Sequence, residues 1–407
     1  MTHGPQAALL LAHSYWPEHS PPQRRWQSLI PHLALRGWRV GVVAPVAHYG
    51  PGPDYDRRTR GRLGRGRPGP VGETIMRVPF VTSRDARLPK LIDQVVTAAG
   101  SAVRAAVARE YSVVIVTAPS LPLLASGWFA ARVRGLPLVV EMRDAWPNLA
   151  TEAGVVQGRA QKAVNWAVEF VQDRADMVVT VTEGFAAILR HRGVREVATV
   201  RNGVRLESTP LLPPPPAQRD RLEVLYLGNH GESQRLERLV EAAALVGPGM
   251  RLTLVGQGSQ KTKLRRHAAQ LGVPVRFLDP AFRDEVFEHY RQADSLVISL
   301  RDDWKSFEAT IPSKTYEVMA VGRHLTAIVR GEAAWVLDQA GAGDVVGSSA
   351  REIAHLWQGL IEDRTRLQCS RDGRDWVAEH ADFKDLALRY DEILRRALAL
   401  GGRRRRR

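Results

Sequence analysis

The chain has 407 residues, of which 44% are hydrophobic and 25% are charged, a composition typical of globular domains and not of disordered chains. This length is enough for two or three domains, each with its own core. The single cysteine, Cys369, excludes a disulfide framework and a cysteine-based metal site, and it suits a reducing compartment.

Strand-like and helix-like segments alternate along the first half of the chain. Runs of Val, Ile and Leu with little polar alternation are typical of strands that are covered on both faces. Helical patterns between them, such as the amphipathic segment 23–37 that ends at Gly37, indicate βαβ units and a parallel sheet. The predicted strands are 7–13, 39–45, 111–118, 136–144 and 175–182.

Two apolar stretches raise the question of a signal peptide or a membrane span. The N-terminal run has no Lys or Arg before it, so a buried strand is favoured over a signal peptide. Residues 111–131 are uncharged, but Pro119, Ser120 and Pro122 interrupt them, which favours a strand, a loop and a helix over a span. We expect a soluble, cytoplasmic protein.

The alternating pattern restarts after the segment 209–220, whose run of four prolines favours an extended connector. A strand at 221–231 and a helix at 233–246 follow it. The further predicted strands are 251–258, 275–279, 293–300 and 324–329.

The predicted fold class is therefore α/β, with two doubly wound Rossmann-like domains facing across a cleft. The predicted organisation is an N-terminal domain (1–208), a proline-rich linker (209–220), a second domain (221–374), a C-terminal helical segment (375–400) and a basic tail (401–407).

Much of the net charge of +15 lies in two arginine-rich arms, at 57–67 with six arginines and at 403–407 with five. Such arms favour polyanionic partners, including anionic lipid headgroups and nucleic acid. The alternative is that they reflect compositional bias and serve only solubility.

In doubly wound sheets, ligands bind at the carboxyl ends of the strands. Two turns at such ends contain glycines that let backbone N–H groups approach a phosphate, although glycine also serves steric needs there. Candidate binding or catalytic residues in the loops that follow strands are Trp16, Glu18, Arg143, Asp144, Gly228, Asn229 and Gly256. An Arg143–Asp144 pair that only stiffens its loop is the alternative for that position.

The segment IPSKTYEVMAVGR (311–323) predicts a helix that begins near Pro312 or Ser313 and ends at Gly322. Lys314 lies in its first turn, where the helix dipole disfavours a cation unless an anion such as a diphosphate is bound. Ser313 and Glu317 are candidate substrate-binding residues of this helix. Glu317 lies one turn after Lys314 and could accept hydrogen bonds from sugar hydroxyls. The alternative is an exposed ion pair between these two side chains.

Metal and hydrolase motifs are missing from the sequence. It contains no H-E-x-x-H and no G-x-S-x-G, and Asp54 and Asp56 form only an isolated D-x-D within an arginine-rich segment. We expect no metal and no tightly bound cofactor.

Several of these segments together resemble the retaining glycosyltransferases of the GT-B fold, family four. The similarity is to a subgroup that includes bacterial surface-polysaccharide and amino-sugar transferases. The segments that carry it are YWPE (15–18), RDAWP (143–147), VTEGFAAIL (181–189), RNGV (201–204), VLYLGNHG (224–231) and 311–323.

The resemblance implies a hexosyl- or N-acetylhexosaminyltransferase that moves a sugar, with retention, from a nucleotide sugar to a glycan or a lipid-linked acceptor. The nucleotide sugar would be a co-substrate, with UDP as the expected nucleotide. Glu317 matches the family's ribose-binding glutamate, and Lys314 would bind the diphosphate, with Arg235 as a weaker candidate. The basic arms would hold the enzyme at the inner membrane face, and nucleic acid is not an expected partner.

This sequence departs from the family pattern at several places, including Gln234 near a usual lysine and VTAPS (116–120) in the region of a usual histidine. Ala309 stands where the family has a first glutamate, with Glu308 one position away. Asn229 stands near a usual arginine, and HSPP (19–22) replaces a Gly-Gly turn. These departures keep two alternatives open, namely a polyanion-binding protein with a vestigial nucleotide cleft and a GT-B sugar-nucleotide epimerase.

Overall fold

The computed structural model of the chain describes residues 6–48, 63, 66–80, 87–118, 120–145, 152, 158–282, 284–369 and 371–405. Most of the arginine-rich arm 57–67, the pair Asp54 and Asp56, and residues 146–147 of the RDAWP motif lie outside these residues. The chain divides into two compact units, one from residues 1–202 and 383–407 and the other from residues 203–382.

Each unit is built on its own β-sheet. In the first unit the strand order is β3-β4-β2-β1-β5-β6-β7-β8, and in the second unit it is β11-β10-β9-β12-β13-β14. All neighbouring pairs are parallel except β3 with β4. The strands are β1 (Gln6–Leu11), β2 (Trp38–Pro45), β3 (Arg67–Pro68), β4 (Thr74–Val78), β5 (Val113–Thr117), β6 (Leu138–Met142), β7 (Met177–Thr180), β8 (Val197–Thr199), β9 (Leu222–Leu227), β10 (Met250–Val255), β11 (Arg276–Leu278), β12 (Ser295–Ser299), β13 (His324–Ile328) and β14 (Gly343–Val345).

Helices connect the strands and cover the sheets. They are α1 (Pro21–Ala34), α2 (Arg87–Val107), α3 (Leu121–Arg134), α4 (Gly158–Arg174), α5 (Glu183–His191), α6 (Glu237–Val246), α7 (Lys261–Gln270), α8 (Asp284–Gln292), α9 (Ser313–Val321), α10 (Gly331–Ala340), α11 (Ala350–Glu362), α12 (Asp372–His380) and α13 (Phe383–Arg405). Within the described part of the chain, none of them is long and apolar enough to cross a membrane.

The predicted fold class of two Rossmann-like α/β domains is confirmed, and every predicted strand overlaps an observed one. Helix α1 begins earlier than predicted, since Pro21 occupies its first position and Ser20 caps it, with the Ser20 Oγ accepting from the Gln23 N–H at 3.4 Å. The two prolines of HSPP therefore start a helix, which suits residues that cannot donate an N–H.

The unit boundaries differ from the predicted domain boundaries at two places. The proline-rich segment 209–220 belongs to the second unit, which already begins at Gly203. The predicted C-terminal segment 375–400 contains parts of two helices, and these belong to different units. Between the two helices, the Ala381 carbonyl accepts from the Val204 N–H at 2.9 Å, and Phe383 is then buried in the core of the first unit.

A buried charge network joins the elements of the first unit. Glu141, at the end of β6, is fully buried, and its carboxylate accepts from Arg25 Nε at 2.9 Å and from Trp26 Nε1 at 3.0 Å, both on α1. Tyr390 on α13 lies against the same carboxylate at 3.4 Å. Burial would raise the pKa of Glu141, but the charges of Arg25 and Arg143 hold it below its ordinary value.

We predict that Arg25→Leu lowers the free energy of unfolding by about 3–5 kcal/mol, because it leaves the Glu141 carboxylate buried without its partner. In the wild type the pKa of Glu141 is depressed, so the ionised carboxylate stabilises the fold at pH values above the ordinary carboxyl pKa. This stabilisation is lost as the pH falls through the depressed pKa. In the variant, Glu141 can take up a proton at low pH and so avoid a buried unpaired charge. The loss of unfolding free energy relative to the wild type should therefore be larger near neutral pH than at about pH 5. Urea denaturation at both pH values measures this.

The matched control is Arg190→Leu, whose guanidinium lies 3.5 Å from Glu183 with both side chains about half exposed. This exposed pair should contribute less than about 1 kcal/mol. An Arg25 variant as stable as the Arg190 variant would show that the buried pair does not hold the first unit together.

Candidate functional site

The second unit has a topological switch point between β9 and β12. From β9 the chain first adds β10 and β11 on one side, and it then returns to add β12, β13 and β14 on the other. A crevice outside the carboxyl ends of β9 and β12 is the usual ligand position in such sheets. The two loops that meet there are 228–236 and 300–312.

The turns after β9 and β10 approach each other so closely that only glycine fits. Gly256 has a φ of +145°, and a Cβ atom on it would lie 1.9 Å from the carbonyl oxygen of Gly228. A Cβ atom on Gly258 would lie 2.4 Å from the carbonyl oxygen of His230. The structure thus brings the predicted residues Gly228 and Gly256 together, for a steric reason that does not itself require a ligand.

Two buried polar side chains support these turns. Lys261, at the start of α7, is 7% exposed, and its ammonium donates to the carbonyls of Gly256 and Leu278, each at 2.8 Å. His230 is fully buried, and burial and the charge of Lys261 lower its pKa to about 4, so its ring is neutral at pH 7. Neither residue was predicted, because the role of Lys261 depends on carbonyls of Gly256 and Leu278 that only the tertiary structure brings within reach, and a single histidine carries no distinctive pattern.

Helix α9 begins at Ser313, as predicted, and no side chain caps its N-terminus. Its first turn contains no acidic residue, so no carboxylate there offsets the positive end of the dipole. The Thr315 N–H donates to the Pro312 carbonyl at 2.9 Å, and the N–H groups of Ser313 and Lys314 precede it at the helix start. Ser313 is exposed, while Lys314 and Glu317 are about one-quarter exposed.

Lys314 and Glu317 form the ion pair that was the alternative prediction for this segment. The Lys314 ammonium lies 2.8 Å from the Glu317 carboxylate, and Tyr290 on α8 joins them, since its hydroxyl donates to the same carboxylate oxygen at 2.6 Å. The ammonium also lies 3.1 Å from that hydroxyl. Tyr290 is 1% exposed, so this tyrosine fixes a cation and a carboxylate that otherwise lie near the surface. Tyr290 could not be predicted as part of this site, because it lies on a different helix, more than 20 residues before α9.

Asp302, in the loop after β12, forms ion pairs with an arginine that follows β9 and with one that follows β13. Asp302 accepts from Arg235 at 2.8 Å, from Arg330 at 3.2 Å and from the Ser348 hydroxyl at 2.6 Å. The Ser348 hydrogen bond and the two arginines hold the pKa of Asp302 below its ordinary value against the effect of burial. Arg235 has a φ of +48°, in the left-handed region that favours glycine.

Two departures from the family pattern lie in the loops after β12 and β9. Ala309, in place of a glutamate, is buried, whereas Glu308 is exposed. Asn229 is also exposed, and its amide lies 3.4 Å from the Gln234 side chain. A role for Asn229 in binding stays a prediction.

In the first unit, Arg143 and Asp144 follow β6, as predicted. Burial lowers the pKa of Arg143 and raises that of Asp144, and in each case the charge of the other residue opposes the shift. The Nε atom of Arg143 is buried without a hydrogen-bond partner among the described residues. Perturbed pKa values of this kind cluster at functional sites, although ion pairs with a structural role show them too.

Glu18 and Trp16 occupy the loop after β1, where their contacts are internal. Glu18 is 2% exposed, and its carboxylate accepts from the Ser14 hydroxyl and the His48 backbone N–H, both at 2.5 Å. Trp16 is partly buried against the core of the unit. Both residues shape the loop in this structure, and their predicted contact with substrate stays a prediction.

No group of three or more His, Cys, Asp or Glu side chains among the described residues is arranged to hold a metal ion.

The predicted site residues are divided between the two units. Those in the second unit are Gly228, Asn229, Gly256, Ser313, Lys314 and Glu317, and those in the first unit are Trp16, Glu18, Arg143 and Asp144.

Comparison with known proteins assigns a family to both units. Residues 22–203 match the family described as "Glycosyl transferase 4-like domain", and residues 221–363 match "Glycosyl transferases group 1". The two matches follow each other along most of the chain and correspond to the two observed units. The chain belongs to the GT-B glycosyltransferases.

The chain is also similar to WcaI of Escherichia coli (strain K12), which is named as a glycosyl transferase of colanic acid biosynthesis. It is 34% identical over 119 residues, and the match spans 28% of this chain and 28% of WcaI.

Solved structures share the whole fold. Sucrose-phosphate synthase from Thermosynechococcus elongatus superposes with a TM-score of 0.74 at 16% identity, covering 97% of this chain and 99% of its own. HepE of Anabaena, in complex with UDP and glucose, superposes with a TM-score of 0.69 at 15% identity, covering 96% and 99%. At these identities the likeness shows the fold alone.

We predict that Gly256→Ala lowers the free energy of unfolding by more than about 2 kcal/mol, because the added Cβ atom meets a backbone oxygen that cannot move without displacing the turn after β9. Gly272→Ala is the matched control, since Gly272 also has a positive φ, +65°, but its Cβ atom would meet nothing within 4 Å. Gly272→Ala should lower the free energy of unfolding by only about 1–2 kcal/mol, because an alanine is disfavoured in this backbone conformation but meets no neighbouring atom. Equal losses in the two variants, measured by urea denaturation, would contradict the steric account.

Proposed function

We propose that this protein transfers a sugar from a nucleotide-sugar donor, UDP-linked, to a glycan or lipid-linked acceptor with retention of configuration. The observation that carries the proposal is the uncapped N-terminus of α9, where Lys314 and Glu317 lie side by side on Tyr290. A site of this composition offers N–H groups and a cation to a diphosphate and a carboxylate to a ribose. HepE, which shares the fold, has been solved with UDP and with UDP-glucose.

Lys314 would stabilise the departing nucleoside diphosphate. Transfer breaks the bond between the anomeric carbon and the diphosphate oxygen, and negative charge develops on that oxygen. A positioned ammonium and helix N–H groups lower the energy of this charge in the transition state. In the absence of donor, Glu317 neutralises the ammonium, and ribose binding to Glu317 would leave Lys314 available to the phosphates.

Arg235 is the second cation for the diphosphate under this proposal. It lies in the loop that follows β9, with a left-handed backbone conformation, and its guanidinium pairs with Asp302. The nucleobase would lie near the Gly256 turn, which Lys261 holds through two carbonyls.

The first unit would bind the acceptor. Arg143 and Asp144 are the residues that we propose to act there, because burial perturbs both of their pKa values in directions that favour the neutral forms. The transferred sugar would be a hexosyl or N-acetylhexosaminyl group. Nucleotide sugar would be consumed as a co-substrate, with no tightly bound cofactor.

The arginine-rich arms would add an electrostatic attraction to the anionic inner face of a membrane, with the enzyme in the cytoplasm. Each arginine near such a surface contributes about 1 kcal/mol, so five or six in one arm are sufficient for weak association. Lipid-linked acceptors are presented at that surface.

We predict that Lys314→Ala weakens UDP binding by about tenfold or more and lowers turnover, because a charge-assisted contact to phosphate is lost. Lys314→Arg should restore only part of the affinity, since the planar guanidinium cannot reproduce the contact with both Glu317 and Tyr290. Isothermal titration with UDP measures the affinity, and release of UDP from UDP-sugars measures the turnover.

The matched control is Arg266→Ala, which removes an exposed cation from α7. It should leave UDP affinity unchanged. If Lys314→Ala binds UDP as tightly as the control does, Lys314 serves only its ion pair with Glu317 and the proposed donor site is wrong.

A further inference from the structure

The second unit contains a cavity near the amino ends of its strands, which we call the arginine cavity. Its volume is about 240 Å³, and it is lined by residues of β9, β10 and β11, of the segment before β9 and of the end of α8. Arg219 precedes β9, Arg251 is the second residue of β10, and Arg276 is the first residue of β11. The proposed donor site follows the other end of β9, beyond a strand of six residues that spans about 20 Å. The arginines therefore belong to a different place in the fold.

Positive charge dominates the lining of the arginine cavity. Arg219, Arg251 and Arg276 line it, and Glu223 is the one carboxylate among the described residues that do so. Arg276 is exposed and forms no ion pair with any residue that the structure describes. Three guanidinium groups around one small cavity repel one another, and a bound anion would relieve that repulsion.

Two of the arginines are held in place without using all of their donors. The Arg219 Nη1 atom donates to the Gln292 carbonyl at 2.7 Å and lies 3.1 Å from the Asp294 carboxylate. The Arg251 guanidinium lies 3.6 Å from the Glu223 carboxylate. A guanidinium has several N–H donors in a fixed plane, so both side chains retain donors for a ligand. Groups that are already positioned lose less conformational freedom when they bind.

The buried carboxylate beside the cavity does not balance this charge. Asp294 is fully buried, and its Oδ1 atom lies 3.1 Å from both Arg219 and Arg364. Arg323 interacts with the same groups, since burial lowers the pKa of its guanidinium, the charge of Asp294 opposes that shift and the charge of Arg219 adds to it. One carboxylate is thus shared by three arginines, and the region keeps an excess of positive charge.

The rest of the lining suits the body of a sugar. Leu225, Thr253 and Leu278 contribute to it from three adjacent strands. The Thr253 hydroxyl, the Glu223 carboxylate and the side-chain oxygen of Gln292 can hydrogen-bond with hydroxyl groups. The two leucines offer apolar contacts to the carbon atoms of a ring. The cavity therefore combines cations with the polar and apolar groups that a small hydroxylated ligand needs.

We propose that the arginine cavity binds a small sugar phosphate. The phosphate would lie among the three guanidinium groups, whose planar donors match its oxygens with paired hydrogen bonds. The volume of about 240 Å³ is near the lower end of the ~300–1,000 Å³ of small-molecule pockets, which fits a ligand of this size. The arginines line a cavity and do not form a stripe along the surface, which favours a small anion over a nucleic-acid backbone. The inference does not depend on the proposed transfer reaction.

The test is isothermal titration of the full chain with glucose 6-phosphate as the probe, in the presence of saturating UDP. Because UDP occupies the proposed donor site, the binding that remains reports a second site. The wild type should bind glucose 6-phosphate and should not bind glucose. It should bind inorganic phosphate about tenfold more weakly, because the contacts with the sugar are absent. Raising the salt concentration should weaken the binding of glucose 6-phosphate.

The double variant Arg251→Gln, Arg276→Gln should bind glucose 6-phosphate more weakly by about tenfold or more, since two charge-assisted contacts to phosphate are lost. Both side chains are at least partly exposed, so the fold should be retained. Arg219 is left in place because it supports the buried Asp294. Thermal unfolding of the variant without ligand checks that it is folded.

The matched control is Lys263→Gln, Arg266→Gln, which removes the same charge from exposed positions of α7. Leu264 of α7 packs in the core with Leu252 and Leu254 of β10. These two leucines alternate along β10 with residues that line the cavity, so α7 covers the opposite side of the sheet. The control should bind glucose 6-phosphate as the wild type does.

Three results would overturn the proposal. One is absence of binding, or equal affinity in the cavity variant and the control. Another is binding that UDP displaces or that Lys314→Ala abolishes, which would assign the phosphate to the donor site. The third is equal affinity for inorganic phosphate and glucose 6-phosphate, which would leave a site for an ion and not for a sugar phosphate. If glucose 6-phosphate binds and UDP does not, the proposed function alone is contradicted.

Discussion

The close approach of the turn after β10 to the turn after β9 is the constraint on which the candidate site depends. At Gly256 no side chain is possible, because a Cβ atom would lie 1.9 Å from the Gly228 carbonyl oxygen. Lys261 joins this turn to the end of β11, because its ammonium donates to the Gly256 and Leu278 carbonyls. These contacts fix the backbone at the carboxyl end of β9, where the switch of strand order opens a crevice for a ligand.

The ion pairs of the two units differ in their burial and in what they contribute. In the first unit, the Arg25–Glu141 pair is fully buried and joins α1, β6 and α13, so it serves the fold. In the second unit, the charges of Lys314, Glu317, Arg235 and Asp302 lie at loop and helix ends and remain partly exposed. Pairs of this second kind contribute little to stability, and their partners can be exchanged for a ligand at small cost.

The fold could be predicted from the sequence because its signals are local. Apolar runs with helices between them give parallel sheets, and the proline-rich segment separates two repeats of that pattern. Short strands such as β8 and β14 were not predicted, since three residues give no periodic signal. The return of α13 to the first unit was also missed, because the packing of a terminal helix depends on long-range contacts such as that between Trp26 and Tyr390.

The candidate site could be predicted only in part. Lys314 and Glu317 belong to one helix, so their spacing gave their proximity, whereas Tyr290 and Asp302 come from other elements and need the tertiary structure. The two predictions for Lys314, an ion pair and a diphosphate contact, describe two states of one site. The structure shows the first, and the second is the central claim of the proposed function.

Thermal unfolding of the wild-type protein in the presence of UDP, GDP and ADP tests that claim most directly, because a ligand that binds only the folded state raises the midpoint of unfolding. The account predicts a rise with UDP that grows with its concentration, and smaller shifts with GDP and ADP. Absence of a shift with every nucleotide, together with tight and salt-sensitive binding to DNA, would contradict it and favour a polyanion-binding protein.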